Sequence, residues 1–519
     1  MREMPDYLAM LGRLGRDLPS FLRAPLTLGD ARAVVRQRLA SHEQQFLRQL
    51  DRCVFGTPRS PYRRLLAHAG CERGDVQTLV QREGVEGALR QLAERGVYIT
   101  FDEFKGRRPI IRGSTRFICS DRDFDNPHQQ THYVMFTGGS RGQPTPVRRS
   151  LASADDLALM FLLVLDAHGI RQPHHLYWVG APLTWALVHL KLMQPIDGWY
   201  YPVQPMPLAA RLVLRYVALL AWQAGRHMPS PANRALDQPD EIARLLAARA
   251  GRGRPIMVNT VVSSAVRVAT AAQAMGARLD HVTFICRSEP LSPSRLRFLV
   301  AVGARALPEY ATVELPFIAY GCPDGTASDD VHLCTDRYAV IERQRPLFDH
   351  GPPVDALLLT TLGDNAPKIA LNVELGDSAR IEQRDCGCSM GALGLRTHLS
   401  EIRSFEKLST EGTSFARSNV VQILEEVLPS RFGGTPLDYQ LVETEALDGT
   451  ARLVLRVHPG LGRIDDAAVR ETLLRELGRG NMVDAYQAEL IEHAASLVIA
   501  RLPPLPTRAG KVVPFHVAT

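Results

Sequence analysis

The chain has 519 residues, 45% hydrophobic and 22% charged, with a formal net charge of +6. This is the balance of a globular protein long enough for two or more domains, and it excludes a low-complexity or fibrous chain. The eight cysteines are too sparse for a disulfide framework, and the arginines are scattered without a basic block, so no nucleic-acid partner is expected.

In chain order, residues 1–19 carry charges throughout and lack the apolar centre of a secretory leader, which points to the cytoplasm. Residues 31–50 and 85–93 have helical apolar spacing, and 96–101 reads as a short strand. The apolar run 133–136 predicts a strand, followed by Thr137-Gly138-Gly139-Ser140-Arg141-Gly142-Gln143-Pro144-Thr145. Glycines let backbone N–H groups approach a phosphate, and Thr137, Ser140 and Thr145 add hydroxyls. A plain surface turn has the same composition. Ser153 and Asp156 have the spacing of a capping box ahead of a helix over 157–165.

From 150 to 310 strands and helices alternate: strands at 176–179, 256–262 and 282–286, helices at 264–275 and 292–302. Alternation predicts an α/β fold with a parallel, doubly wound sheet and a ligand at the carboxyl ends of its strands. The longest apolar run, 208–224, is interrupted by Arg211 and Arg215, which predicts a buried amphipathic helix rather than a membrane span. After about 405 come a helix (419–427), two strands (439–443, 451–457) turning near Asp448-Gly449, a helix (469–477) and an apolar stretch (490–499). These predict a small α+β domain over 403–519 behind a large domain over 1–402, whose first 100 residues are a mainly helical extension.

Further short segments follow the glycine loop in order: Ser288-Glu289-Pro290, Tyr310-Ala311-Thr312-Val313-Glu314, Gly376-Asp377, Arg403 with Gly412, and Arg508-Ala509-Gly510-Lys511. Together they resemble the motifs of the adenylate-forming (ANL) superfamily, in particular the phenylacetate–CoA ligase and acyl-protein synthetase branch, over about residues 60–511. The resemblance implies a large adenylation domain with a small mobile lid. It also implies activation of a carboxylic acid by MgATP as acyl-AMP, then transfer to a thiol of CoA or of carrier-protein pantetheine. The nucleotide would be held by Thr137, Gly138, Gly139, Ser140, Gly142, Thr145, Glu289, Tyr310, Thr312 and Asp377, the last on the ribose hydroxyls. Glu314 would hold Mg²⁺, a task for a hard oxygen ligand. Arg403 would open the hinge, and Lys511 would neutralise the reacting oxyanion.

The sequence departs from the motifs at Gln143 (usually lysine), Val313 (usually threonine), Val373, Leu375 and Phe405. Thr312, the nearest substitute hydroxyl, would point away if the segment were extended. These departures keep a second reading open, a catalytically degenerate scaffold in a biosynthetic complex; a third is a ligase that loads a partner protein. A nicotinamide dehydrogenase is not expected, because no Gly-x-Gly-x-x-Gly follows a strand.

An aryl or fatty acyl group would sit among Trp178, Val179, Gly180 and Trp185, with Asn259, Thr260 and Val261 beside them. Relatives of the branch are often homodimers. Some carry a structural zinc on ligands that match Cys322, His332, Cys386 and Cys388, with Cys334 as a substitute for Cys322.

Overall fold

The computed structural model describes the chain except for residues 1–3, 25, 138–144, 181–182, 203–205, 207, 251–252, 348–352, 406–418, 446–450, 480–487, 490, 493–496, 508–509 and 518–519. The glycine loop, most of the 403–412 hinge segment, the Asp448-Gly449 turn and Arg508 therefore lie outside the described residues.

A ten-stranded sheet organises the molecule. Six strands run parallel, in the spatial order Arg305–Tyr310, Val282–Arg287, Ile256–Val261, His174–Trp178, Ile196–Tyr201 and Ala232–Asn233. Four antiparallel strands extend it: Ala319–Gly321, Val331–Leu333, Thr397–Ser404 and Asp377–Gln383. Strand residues alternate between two cores, as the period of two requires. Leu176, Trp178, Val258 and Phe284 face one core, while Tyr177, Met257 and Ile285 face the other. The strands Tyr338–Pro346, Pro353–Thr361 and Val373–Glu374 form a separate antiparallel sheet.

Helix boundaries differ from the sequence expectation where caps decide them. The helix expected at 157–165 is Leu151–Ala167, and its N-cap is Ser150, whose side chain accepts from Ser153 N–H. The Ser153 capping box is thus incorrect: Asp156 is buried and paired with Arg38 instead. The run 31–50 is two helices, Leu28–Ala40 and His42–Gln49, broken at Ser41. A preceding helix, Met4–Arg23, packs on Leu208–Gln223, where Tyr216 covers Gly15. The stretch 96–101 contributes only a bridge from Ile99 to Val373 before Thr100 caps the short helix Phe101–Phe104.

The helix Leu208–Gln223 is only half-buried. Leu214, Val217, Leu220 and Ala221 face inward, yet Leu208, Leu212, Leu219 and Trp222 are exposed beside Arg211 and Arg215. The expected buried amphipathic helix is therefore corrected in one respect: apolar side chains stand on its exposed side as well as its buried one. No helix among the described residues is long and apolar enough to cross a membrane.

Beyond residue 419 the chain builds its own core from Val420, Leu424, Tyr439, Leu455, Leu473 and Phe515. Its sheet has the order Leu497–Ala500, Ala451–Val457, Tyr439–Glu445, Phe515–Val517, the middle pair an antiparallel hairpin.

Candidate active site

A cavity of about 1410 Å³ opens at the carboxyl ends of four neighbouring parallel strands. Val179 and Gly180 follow the first strand, Val261 ends the next, Ser288–Leu291 follow the third, and Ala311–Glu314 follow the fourth. The hairpin Tyr133–Phe136/Pro146–Arg149 closes one side, and Asp377 and Lys511 reach it from distant parts of the chain.

Thr137 and Thr145 pin the base of the glycine loop. Thr137 N–H donates to Thr145 O at 3.0 Å, and Thr145 N–H donates to Thr137 Oγ1 at 2.9 Å. Gly138, Gly139, Ser140 and Gly142 lie outside the described residues.

Tyr310 Oη donates to Asp377 Oδ2 at 2.9 Å, and burial, then the Asp377 charge, push the phenol well above its ordinary range. The segment after Tyr310 is a tight turn rather than extended chain: Thr312 N–H donates to Leu315 O, and Ile318 N–H donates to Tyr310 O. Thr312 therefore lines the cavity together with Val313, which corrects the expectation that it points away. Phe317 holds φ +59 in this turn. That conformation is strained for a bulky residue, and it sets the ring against Trp185 at 5.2 Å between centroids.

Two cations not foreseen from the sequence flank Glu314. Lys105, directly after the short helix Phe101–Phe104, forms an ion pair with the Glu314 carboxylate and reaches Thr145 Oγ1 at 3.5 Å. Only 10% of its side chain is exposed. Arg149 is buried on the cavity wall; its Nη2 donates to Val313 O, while Nε and Nη1 have no partner. Burial lowers the Arg149 guanidinium below its ordinary value. The one available signal for Lys105 is scarcity: Lys105 and Lys511 are two of only five lysines, and both line this cavity.

Glu289 accepts from Ser263 N–H at 2.9 Å and Ser263 Oγ at 2.5 Å, so it fixes the strand-to-helix turn at the cavity edge. Ser288, directly before Glu289, has φ +71, a conformation glycine adopts freely and other residues rarely. Ser263 Oγ also accepts from Val512 N–H at 3.0 Å. Arg295 binds Glu289 at 3.3 Å, Glu425 at 2.9 Å and Val512 O at 3.0 Å, and Arg267 donates to Gly510 O at 2.8 Å. This network holds the segment carrying Lys511 against the sheet. Gly510 is obligatory there: its φ is +82, and an added Cβ would meet Leu236 at 2.7 Å.

One part of the wall is apolar: Met10, Leu14, Leu183, Trp185, Val213, Leu214 and Phe317. Gly180, Trp185 and Val261 lie where the sequence placed them. Trp178 does not: the alternation of its strand turns it into the opposite core, where Nε1 donates to Arg234 O at 3.0 Å. Asn259 is also corrected: it sits fully buried behind Arg287, receiving its Nη2 at 2.7 Å. Thr260 donates to Trp178 O. Arg287, paired with Glu309 at 3.0 Å and stacked over Trp185 at 4.8 Å, is the group that lines the cavity.

No protein-family model matches the sequence, and no curated protein matches it. Among solved structures, 2-hydroxyisobutyryl-CoA ligase in its postadenylation state superposes over 95% of this chain and 90% of its own, at 16% identity and a TM-score of 0.52. The chain has the fold of the adenylate-forming enzymes. O-succinylbenzoate coenzyme A synthetase from Bacillus subtilis, bound to ATP and magnesium, matches 74% of this chain and 69% of its own at 12% identity, and its TM-score of 0.43 adds no weight.

In this fold, Arg403 lies at the end of a sheet strand and pairs with Asp329 at 2.9 Å rather than lining the cavity. The four expected metal ligands do not line the cavity, and they converge on one another. Cys388 Sγ lies 3.2 Å and Cys386 Sγ 3.6 Å from His332 Nε2, and the two sulfurs are 3.3 Å apart. Cys322 joins the same cluster, and Cys334 is buried in the core instead. His332 Nδ1 is within 2.7 Å of Leu395 O, which reserves Nε2 for a ligand. The Cys388 thiol is pushed below its ordinary value, first by Cys322 and then by His332. His398, missed from the sequence, adds a fifth donor: its Nδ1 meets Asp330 at 2.8 Å, and its buried Nε2 has no partner. The donor set of soft thiolates and oriented imidazole fits Zn²⁺.

Proposed function

We propose that the chain activates a carboxylic acid with MgATP, forming an acyl-adenylate and pyrophosphate, and passes the acyl group to a thiol. The observation that carries this reading is convergence: Thr137, Thr145, Tyr310, Glu314, Asp377 and Lys511, from four separate stretches of sequence, line one cavity.

In the first step a substrate carboxylate oxygen bonds to the α-phosphorus as the bond to the bridging α–β oxygen breaks, and pyrophosphate leaves with those electrons. No side-chain nucleophile is needed; alignment and charge stabilisation suffice. Lys511 neutralises the incoming oxyanion and the α-phosphate, and Lys105 turns from Glu314 to the phosphates. Glu314, a hard carboxylate, holds the Mg²⁺ that offsets charge on the pyrophosphate oxygens. Asp377 accepts both ribose hydroxyls, and Tyr310 flanks the base. The organic part of the acid, aryl or alkyl, rests on Trp185, Phe317, Leu183 and Val213.

In the second step a thiolate sulfur bonds to the acyl carbon and AMP leaves. CoA is the simplest donor of that thiol, and carrier-protein pantetheine delivers the same group. Residues 403–519 act as the lid that carries Lys511 to and from the site. Cys322, His332, Cys386 and Cys388 hold a structural zinc.

The test is acid-dependent exchange of pyrophosphate into ATP, with MgATP binding followed by calorimetry. Binding with exchange, lost in Lys511→Ala, is the expected result. An intact chain that gives no heat with MgATP would instead be the degenerate scaffold.

A further inference from the structure

We infer that the helix Leu208–Gln223 is a docking surface for an anionic lipid bilayer, on which the protein lies without crossing it. At about 100° per residue, Leu208, Leu212, Leu219 and Trp222 fall within an arc of about 80° on the outer face. They are 63%, 54%, 51% and 72% exposed. Four large apolar side chains in one exposed stripe mark an interaction surface rather than ordinary surface scatter.

The charge on the stripe selects the occupant. Arg211 and Arg215 lie on or beside the same arc, both exposed, and the helix LAARLVLRYVALLAWQ contains no acidic residue. Leucine and tryptophan beside arginine, with no carboxylate, is the composition of helices that lie in the headgroup region of anionic membranes. A second copy of the chain fits poorly. Arg215 is the midpoint between Leu208 and Trp222, so antiparallel self-pairing about a two-fold axis would set Arg215 against its own copy.

The inner face of the same helix gives the location a purpose. Ala209, Ala210, Val213 and Leu214 line the large cavity, opposite Met10 and Leu14 of the helix Met4–Arg23. On that second helix Leu8 is also exposed, at 65%. One helix thus walls an apolar cavity on one side and offers an apolar, basic stripe on the other, an arrangement suited to an acid that partitions into lipid.

The experiment is co-sedimentation of the full chain with vesicles of phosphatidylcholine alone or with 30% phosphatidylserine, at about 0.1 M and 1 M salt. Screening lengths there are about 10 Å and 3 Å. The expected result is binding to the anionic vesicles that weakens at high salt. Arg211→Gln with Arg215→Gln should weaken it by about 30-fold, taking about fivefold for each arginine. Leu219→Glu with Trp222→Glu should abolish it, while circular dichroism and thermal midpoint match the parent. If the glutamate pair fails to fold, the arginine pair, on the solvent face, still decides the question. No sedimentation with either vesicle overturns the proposal. So does a concentration-dependent dimer by light scattering that Leu219→Glu with Trp222→Glu converts to monomer, because the stripe is then the interface between copies. Binding that the arginine pair leaves unchanged overturns the charge argument and with it the choice of an anionic bilayer.

Discussion

Replacing Arg295 by methionine should undock the C-terminal core from the sheet. Arg295 is 2% exposed and bridges Glu289 on the large core to Glu425 on the C-terminal one, while holding Val512 O next to Lys511. Ser292 also donates to Glu425 and Ser263 to Glu289, so neither carboxylate is bare without Arg295, but Glu425 loses its counter-charge and Glu289 keeps only the nearby Arg267. Removing one partner of a buried pair costs about 3–5 kcal/mol. Because this pair spans two cores that each have their own apolar packing, the cost falls on their docking. At about 1.4 kcal/mol per factor of ten, docking weakens by about two to three and a half orders of magnitude. Pyrophosphate exchange, which needs Lys511 in the cavity, should fall by about 100-fold or more in Arg295→Met. Small-angle scattering should report a larger radius of gyration. Glu425→Gln is the control: it keeps a hydrogen bond to Arg295 and removes a carboxylate whose burial already raises its pKa, so its exchange should stay within about tenfold of the parent. Exchange within threefold of the parent for Arg295→Met, or lost exchange with unchanged scattering, would refute the docking argument.

Lys105→Met should lower exchange by about 100- to 1,000-fold, the usual loss for one charge-stabilising donor, with partial recovery in Lys105→Arg; steady-state kinetics in MgATP checks this. Elemental analysis of chain purified without chelator should find one zinc per chain, and Cys388→Ser should lose it together with thermal stability. Stability should also fall in acid through His175 and His189. Both are fully buried and share the Gln194 amide oxygen at 2.8 and 3.0 Å. Burial holds both imidazoles below the ordinary value, His189 at about 3. The unfolded chain takes up protons from about pH 6.5 downward while the folded chain does not, so the stability present above pH 6.5 is lost as pH falls toward 3. For His189 alone the loss is about 2 kcal/mol at pH 5. Urea unfolding at pH 7 and pH 5 measures it, and His189→Gln should flatten the difference.

The parallel sheet was legible because its strands carry continuous apolar runs and its helices carry caps, as at Ser292 with Pro293. The direction in which one strand residue faces was not. Trp178 and Tyr177 are both aromatic and both at a strand end, and only the register against Ile256–Val261 decides which core each enters. Asn259 shows the same limit differently, since nothing local tells that Arg287 from the next strand covers it. The cysteines and His332 of the candidate metal cluster were reached through the resemblance, but His398 was not, because it enters through the pairing of Val331–Leu333 with Thr397–Ser404 that sets His398 opposite His332. The turn at Thr312 misled for a physical reason: a strand-like composition was read as extended, while the hydrogen bonds closing on Leu315 and Ile318 fold it back.

The same distinction between local sequence and assembled site bears on whether the altered motifs leave a working cavity. Read along the chain, Gln143 removes a lysine from the glycine loop and Val313 removes a hydroxyl beside Glu314, which favours a degenerate scaffold. A phosphate, however, responds to positive charge within a few ångströms and not to its position in the sequence. Lys105 comes from the end of the short helix Phe101–Phe104 to reach Thr145 and Glu314, and Thr312 lines the cavity. Arg149 brings a second buried cation to the carbonyl of Val313 itself. Burial disfavours an uncompensated charge; Glu314 compensates Lys105, whereas Arg149 keeps Nε and Nη1 without a hydrogen-bond partner on the cavity wall. We propose that Lys105 and Arg149 supply from the scaffold the charge that the loop lacks at Gln143, so that the altered motifs count against the loop's sequence and not against the proposed chemistry.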